Sequence, residues 1–138
     1  MSARDQFHDI VKKALQKDDW IITHDPLTLD LRDRQLHIDL GAEKLIAAEK
    51  NNQQIAVEIK SFASPSAVFD FHLALGQFLN YRIVLNLKQP QRILYLAIPL
   101  TVYEDFFVEE LPQLSIKEYQ VKILVFEPQK EDIVQWIN

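Results

Sequence analysis

The chain has 138 residues, which fits one domain, and 48% of them are hydrophobic, enough for a sizeable core. Only two glycines and no low-complexity run argue against a disordered or fibrous chain, and the lack of cysteine excludes disulfides and thiolate zinc sites. The sequence shows neither a signal peptide nor an apolar run of membrane-spanning length, so we expect one cytoplasmic domain over residues 1–138 without membrane contact. The net charge of −5 disfavours strong DNA binding by the protein's own surface, since proteins that bind DNA strongly are usually basic.

Hydrophobic periodicity and turn residues predict one helix followed by strands in the first half of the chain. Apolar residues at helical spacing indicate an amphipathic helix at the start. Asn51-Asn52 lies between two apolar runs and predicts a tight hairpin turn, because Asn tolerates the left-handed backbone conformation. The predicted elements are a helix over 3–17, a strand over 20–23, a turning and extended segment over 24–35, and hairpin strands over 43–50 and 53–61.

The second half predicts helices alternating with strands. Ser64-Pro65 is typical of an N-cap followed by proline at the first helical position. Two capping-box patterns, beginning at Thr101 and Ser115, predict short helices on either side of Pro112. The predicted elements are a helix from Ser64 to about Leu87, a strand over 93–100, two short helices, a strand over 121–126, and a tail over 131–138 that forms a short helix or packs loosely. This order predicts a mixed sheet flanked by helices, an α/β or α+β fold.

Trp136 in the tail has two interpretations. An apolar end needs something to cover it, which makes Trp136 a candidate docking contact. Packing within the chain is the simpler interpretation. Phe106-Phe107 is a candidate surface for a partner or a homodimer, although a monomer core explains these aromatics equally well.

A charged pair interrupts the apolar strand IAVEIKSF, where Glu58 and Lys60 alternate with Val57 and Ile59. Alternate residues of a strand share a face. A two-residue turn at Asn51-Asn52 pairs Leu45 with Glu58 and Glu43 with Lys60, so that Glu43, Glu58 and Lys60 share one face, as does Asp39 by parity. An ordinary solvated sheet face explains Glu58 and Lys60 equally well when they are taken alone.

Carboxylates gathered on one face repel one another unless a cation lies among them, which points to a hard metal ion, Mg²⁺ or Mn²⁺. A lysine beside such an ion can orient water or stabilise charge on a phosphate, a known route to phosphodiester hydrolysis. In this register Glu43 is diagonal to Glu58, whereas Asp39 lies roughly 20 Å along a straight strand from the residue opposite Glu58. Either Gly41 bends the strand, the turn lies elsewhere, or Asp39 is not the first metal-binding acid.

The pattern of Asp39, then Glu58-Ile59-Lys60, then a helix resembles the PD-(D/E)XK nuclease superfamily. The resemblance implies a restriction-endonuclease-like αβββαβ core in which Asp39 and Glu58 bind the metal and Lys60 is catalytic. Gln77 and Tyr81 match the Q-x-x-x-Y motif of the RecB-like branch, which implies that both face the site or the nucleic acid.

The first helix departs from this superfamily's pattern. His8 occupies a position where related nucleases often have Glu. A neutral histidine can ligate a metal or act as a base, and Asp5 and Asp9 are alternative acids.

Three longer stretches resemble one family within this group, the XisH-type fdxN-element excision controlling factors. These are FHDIVKKALQKDDWIITHDP, IDLGAEKLIAAEKNNQQIAVEIKSF and DFHLALGQFLNYR, and the resemblance extends over nearly the whole chain. It implies an accessory role in excising a DNA element from a cyanobacterial genome, with DNA and a small XisI-type protein as partners.

Two functions are therefore weighed. The first is a metal-dependent endonuclease-like DNA-processing protein, using Asp39 or Glu43 with Glu58 as metal ligands, Lys60 to position water and phosphate, and Gln77 to orient the substrate or the lysine. The second is a catalytically inactive nuclease-fold scaffold that regulates a site-specific recombinase through protein contacts. The clustered carboxylates favour the first function, and the acidic charge balance favours the second.

Overall fold

The computed structural model of the chain describes residues 5–46 and 51–138. The helices in these residues are α1 (His8–Lys17), α2 (Ala67–Lys88), α3 (Leu100–Asp105) and α4 (Glu110–Tyr119). The strands are β1 (Ile21–His24), β2 (Leu27–Asp30), β3 (Gln35–Ile38), β4 (Leu40–Ile46), β5 (Asn51–Ile59), β6 (Arg92–Pro99), β7 (Ile123–Glu127) and β8 (Asp132–Ile137). None of these helices is long and apolar enough to cross a membrane.

A mixed sheet of six strands organises the molecule, in the order β1-β4-β5-β6-β7-β8. The pairs β5–β6 and β6–β7 are parallel and the other neighbours are antiparallel. Each parallel pair needs a crossover connection, which α2 supplies for the first and α3 with α4 for the second. The mixed sheet flanked by helices confirms the predicted fold class, and β2 and β3 form a separate two-stranded sheet.

The two faces of the central strand β5 pack against different helices. Ile55, Val57 and Ile59 are buried in one core cluster with Val11 and Leu15 of α1. Ala56 lies on the opposite face, in a second core cluster that includes buried residues of α2 and of β2 and β3. Glu58 therefore shares its face with α2 and the small sheet, because alternate residues of a strand point to one side.

The β4–β5 hairpin is confirmed, but its predicted turn is wrong. Leu40 pairs with Val57 and Ala42 with Ile55, a register that places Asn51 and Asn52 inside β5 and the connection at residues 47–50, outside the described residues. The predicted pairing of Leu45 with Glu58 is wrong for the same reason, since Leu45 pairs with Asn52. Burial of the alternating apolar residues sets this register and overrides the local turn propensity of the two asparagines.

The predicted helix caps are wrong by a few residues. Helix α2 begins two residues later than predicted, because the hydroxyl of Ser66, rather than Ser64, accepts the bond from the Phe69 N–H at 3.1 Å. Thr101 and Ser115 both lie inside helices, α3 and α4, whose own N-caps make no side-chain hydrogen bond. Pro112 lies in the first turn of α4, where the missing N–H of proline costs no helical hydrogen bond, and so does not separate two helices.

The C-terminal tail is a strand, and both predicted forms of it are wrong. It pairs antiparallel with β7 along the edge of the sheet as β8. Trp136 packs at 4.8 Å between ring centroids against Tyr95 and at 5.7 Å against Trp20. The interpretation of Trp136 as an internal packing residue is therefore confirmed.

Candidate metal centre

Two acidic side chains meet where β4 begins and β5 ends. Continuing the β4–β5 register outward by one residue from Leu40 and Val57 places Asp39 opposite Glu58. The two are linked reciprocally: the Asp39 N–H donates to Glu58 Oε1 at 3.3 Å, and the Ile59 N–H donates to Asp39 Oδ2 at 2.7 Å. Asp39 is therefore the acid that accompanies Glu58, and no bend at Gly41 is needed to bring them together.

Glu43 does not belong to this pair. It lies opposite Gln54, whose side-chain amide donates to Glu43 Oε1 at 3.0 Å. Gln54 precedes Glu58 by four residues, roughly 13 Å along a strand. The geometric preference for Glu43 depended on the wrong turn and is wrong with it.

Lys60 follows Glu58 on the same side of the chain, and its Nζ lies 3.5 Å from Glu58 Oε2. The next residue, Ser61, donates its N–H to Asp5 Oδ2 at 2.9 Å, while Asp5 Oδ1 accepts the N–H of Phe7. Asp5 thus ties the end of β5 to the start of α1. It has a structural task here, and its charge adds to the negative potential at Asp39.

Burial of this pair disfavours its ionised forms. Glu58 is 5% exposed; its burial, and next the charge of Asp39, raise its pKa from 4.5 to about 8 against the opposing effect of Lys60. Burial also raises the pKa of Asp39, although the Ile59 N–H, His8 and Lys60 act in the other direction. Without a cation, a protonated Glu58 is therefore favoured over two ionised carboxylates at neutral pH.

The middle of α2 faces this centre. Burial raises the pKa of the Tyr81 phenol, and the charges of Glu58 and Asp39 raise it further, which places Tyr81 within electrostatic reach of both carboxylates. Gln77 lies one helical turn earlier, and its Oε1 is buried without a hydrogen-bond partner among the described residues. A buried amide oxygen without a partner is an acceptor available to a water, a lysine or a substrate.

His8 belongs to a neighbouring cluster rather than to the pair. It is buried in α1, and its Nε2 lies 2.7 Å from Asp25 Oδ1, while Lys12 Nζ donates to Asp25 Oδ2 at 2.8 Å. Burial raises the pKa of Asp25, but the hydrogen bonds of Lys12 and His8 outweigh it and hold the pKa below its usual value. Sequence reasoning missed Asp25, whose only local signal is the turn formed with Pro26.

The residues present fit a hard divalent cation with few protein ligands. No three acidic or histidine side chains within residues 5–46 and 51–138 form a complete ligand group. Mg²⁺ is commonly held by only one or two carboxylates, with water and substrate phosphate completing its octahedron. A buried glutamate and a half-buried aspartate match that requirement, and burial and then their mutual repulsion raise the pKa of Glu58. Asp9 is exposed and lies outside the pair.

Comparison with known proteins places the chain in a family. The model of the XisH protein family matches residues 1–134. A crystal structure of an XisH family protein from Nostoc punctiforme is 49% identical, with a TM-score of 0.87 over 97% of this chain and 100% of that one. A crystal structure of a fdxN element excision controlling factor protein from Anabaena variabilis is also 49% identical, with a TM-score of 0.88 over 98% and 100%. No curated protein matches the chain. The match over residues 1–134 shows that the chain belongs to the XisH family.

Proposed function

We propose that this chain controls excision of a DNA element, and that Asp39, Glu58 and Lys60 form a Mg²⁺- or Mn²⁺-dependent phosphodiester-cleaving centre of the PD-(D/E)XK type. The first part is supported by the similarity to the fdxN element excision controlling factor protein. The observation that carries the second part is the pair of half-buried Asp39 and buried Glu58, with Lys60 beside it. The proposed substrate is DNA, met in the cytoplasm.

Each side chain has a task in such a centre. Asp39 and Glu58 would hold the cation, since each already has one oxygen fixed by a backbone N–H and so a defined orientation. The cation, when bound, supplies Lewis acidity toward phosphate and lowers the pKa of water. Lys60 would hold a phosphate oxygen or the attacking water, and Gln77 would accept a hydrogen bond from that water or from Lys60.

Proton release provides a test that does not depend on activity. Because the pKa of Glu58 is raised to about 8, a bound cation would displace a proton from the pair at pH 7. Titrating Mn²⁺ calorimetrically in two buffers of different ionisation enthalpy should report close to one proton released per metal. Glu58→Gln should lose both binding and proton release, with an unchanged circular dichroism spectrum.

Cleavage is then tested on supercoiled and linear DNA with Mn²⁺. We expect Asp39→Asn, Glu58→Gln and Lys60→Ala each to lose at least about 100-fold in rate, the scale on which electrostatic catalytic groups act. Lys117→Ala removes an exposed lysine of α4 and serves as the control. A wild-type protein that binds no metal with its fold intact would overturn the metal centre.

An inactive nuclease-fold scaffold remains a second candidate, favoured by the net charge of −5. In that case the chain would regulate a site-specific recombinase through protein contacts, with an XisI-like protein as partner. Metal binding without cleavage, alone and with that partner added, identifies this function. Cleavage only with the partner indicates that the partner supplies the basic DNA-binding surface.

A further inference from the structure

Helix α2 carries an apolar stripe on the side that faces away from the core. Phe69, Leu73, Ile83 and Leu87 are 57%, 54%, 69% and 73% exposed. Gly76 and Asn80, also exposed, continue the stripe between them, so that no charged residue interrupts it. The opposite side of the same helix buries Phe71, Ala74, Phe78 and Leu85, so α2 is apolar on two faces.

The stripe has the spacing of a two-helix coiled coil. Its six residues, from 69 through 73, 76, 80 and 83 to 87, are separated by steps of 4, 3, 4, 3 and 4. Such alternation is the 3.5-residue period that keeps one seam facing a partner helix. A solvated helix surface gives no reason for six consecutive seam positions without a charge.

The spacing is also the same when read backwards. A two-fold axis at residue 78 would place Phe69 across from Leu87 of a second copy, Leu73 across from Ile83, and Gly76 across from Asn80. A two-fold interface requires one surface patch to be complementary to itself, and this stripe meets that requirement in the antiparallel direction.

The centre and the ends of the stripe fit the same arrangement. A side chain added at Gly76 would meet nothing within 4 Å, so the surface there is open to a close partner. Glycine inside a helix costs about 1 kcal/mol relative to alanine, and close approach of a second helix is a use for it. Asp70 lies in the first turn of α2 and Lys88 in the last, so antiparallel helices bring opposite charges together at both ends.

We propose that α2 pairs with α2 of a second copy of this chain, antiparallel about residue 78. The contact would consist of a single pair of 22-residue helices, so we expect a reversible dimer whose population depends on protein concentration. The pairing does not depend on the metal centre or on cleavage. It is the surface that a homodimer of this protein would use.

Cysteine cross-linking tests both the contact and its direction, because the chain has no cysteine of its own. Leu73→Cys mixed with Ile83→Cys should form a disulfide-linked dimer under mild oxidation. Leu73→Cys alone should not, since the two copies of residue 73 would lie about 15 Å apart along antiparallel helices. Efficient cross-linking of Leu73→Cys to itself would overturn the antiparallel arrangement.

Charge variants measured by sedimentation velocity give the affinity. Leu73→Glu and Ile83→Lys should each weaken dimerisation at least about ten-fold, and an equimolar mixture should recover it through one Glu–Lys contact per heterodimer. Ile21→Glu, on an equally exposed residue of the edge strand β1, is the control and should leave the dimer intact. A monomeric wild type at all concentrations, or a dimer lost only in Ile21→Glu, overturns the proposal.

Discussion

Two partly buried polar clusters lie close together, yet the pKa values of their acids are shifted in opposite directions. In the first, Asp39 and Glu58 share one lysine, and both carboxylates have a raised pKa. In the second, Asp25 is bonded by His8 and Lys12, and its pKa is lowered. Burial outweighs the favourable partners of the acids in the first cluster, whereas the hydrogen bonds of Lys12 and His8 outweigh burial in the second. We call the first the acid-rich cluster, since two carboxylates share one lysine, and the second the neutralised cluster.

The comparison predicts that losing the acid is most damaging in the neutralised cluster. Asp25→Ala leaves buried His8 without its carboxylate and Lys12 without its ion pair, and it should lower the free energy of unfolding by about 2–4 kcal/mol at pH 7. Urea denaturation measures this. A loss below about 0.5 kcal/mol, typical of a surface substitution, would contradict the structural role.

The acid-rich cluster should respond with the opposite sign. The folded state holds the Glu58 proton more tightly than the unfolded chain, so metal-free stability should fall as pH rises from about 4.5 to about 8. Glu58→Gln removes this cost and should stabilise the metal-free protein at pH 8 by roughly 1–3 kcal/mol. Urea denaturation at pH 5 and pH 8 measures it, and an equally steep pH dependence in Glu58→Gln would rule out Glu58 as the cause.

A bound divalent cation should offset the stability that the acid-rich cluster loses when Glu58 ionises. Mn²⁺ at ten times its dissociation constant should stabilise the wild-type protein by about 1.4 kcal/mol at pH 8 through mass action. Thermal unfolding with Mn²⁺ and with excess chelator measures it. Glu58→Gln should show no such shift, whereas Asp25→Asn should shift as the wild type does.

The smallest effect tests how far solvent reaches into the neutralised cluster. Lys12 is 35% exposed, so its ion pair with Asp25 is screened, and Lys12→Met should cost only about 0.5–1 kcal/mol. Denaturation at low and high salt measures it. A loss of unfolding free energy equal to that of Asp25→Ala would show that the contact of Asp25 with Lys12, rather than with His8, stabilises the cluster.

Local patterns predicted most elements of this fold and the pairing of the β4–β5 hairpin, but not the pairing of distant strands. Capping signals identified α2, and apolar runs identified the strands β5, β6 and β7, because burial leaves a pattern in consecutive residues. The pairing of β8 with β7 depends on contacts between distant residues, which no local pattern records. The Asn51-Asn52 turn was wrong because core burial outweighs turn propensity.

The candidate centre shows the same division. Glu58 and Lys60 were found because charges inside an apolar strand break a rule, and Asp39 came from a motif rather than from geometry. The contact of His8 with Asp25 joins residues 17 apart and was invisible to spacing. The sequence singled out His8 but not its partner, Asp25.

The two backbone-to-carboxylate hydrogen bonds at Asp39 and Glu58 also favour the native register of β4 and β5 over shifted registers during folding. They form only when Leu40 faces Val57; a slip of two residues would keep the apolar face inward but leave both carboxylates buried without their backbone donors. This structural role would favour retention of both acids even in a related protein that does not cleave DNA. Substitutions by Asn and Gln keep an acceptor for each N–H and remove only the charge, which separates alignment of the strands from chemistry.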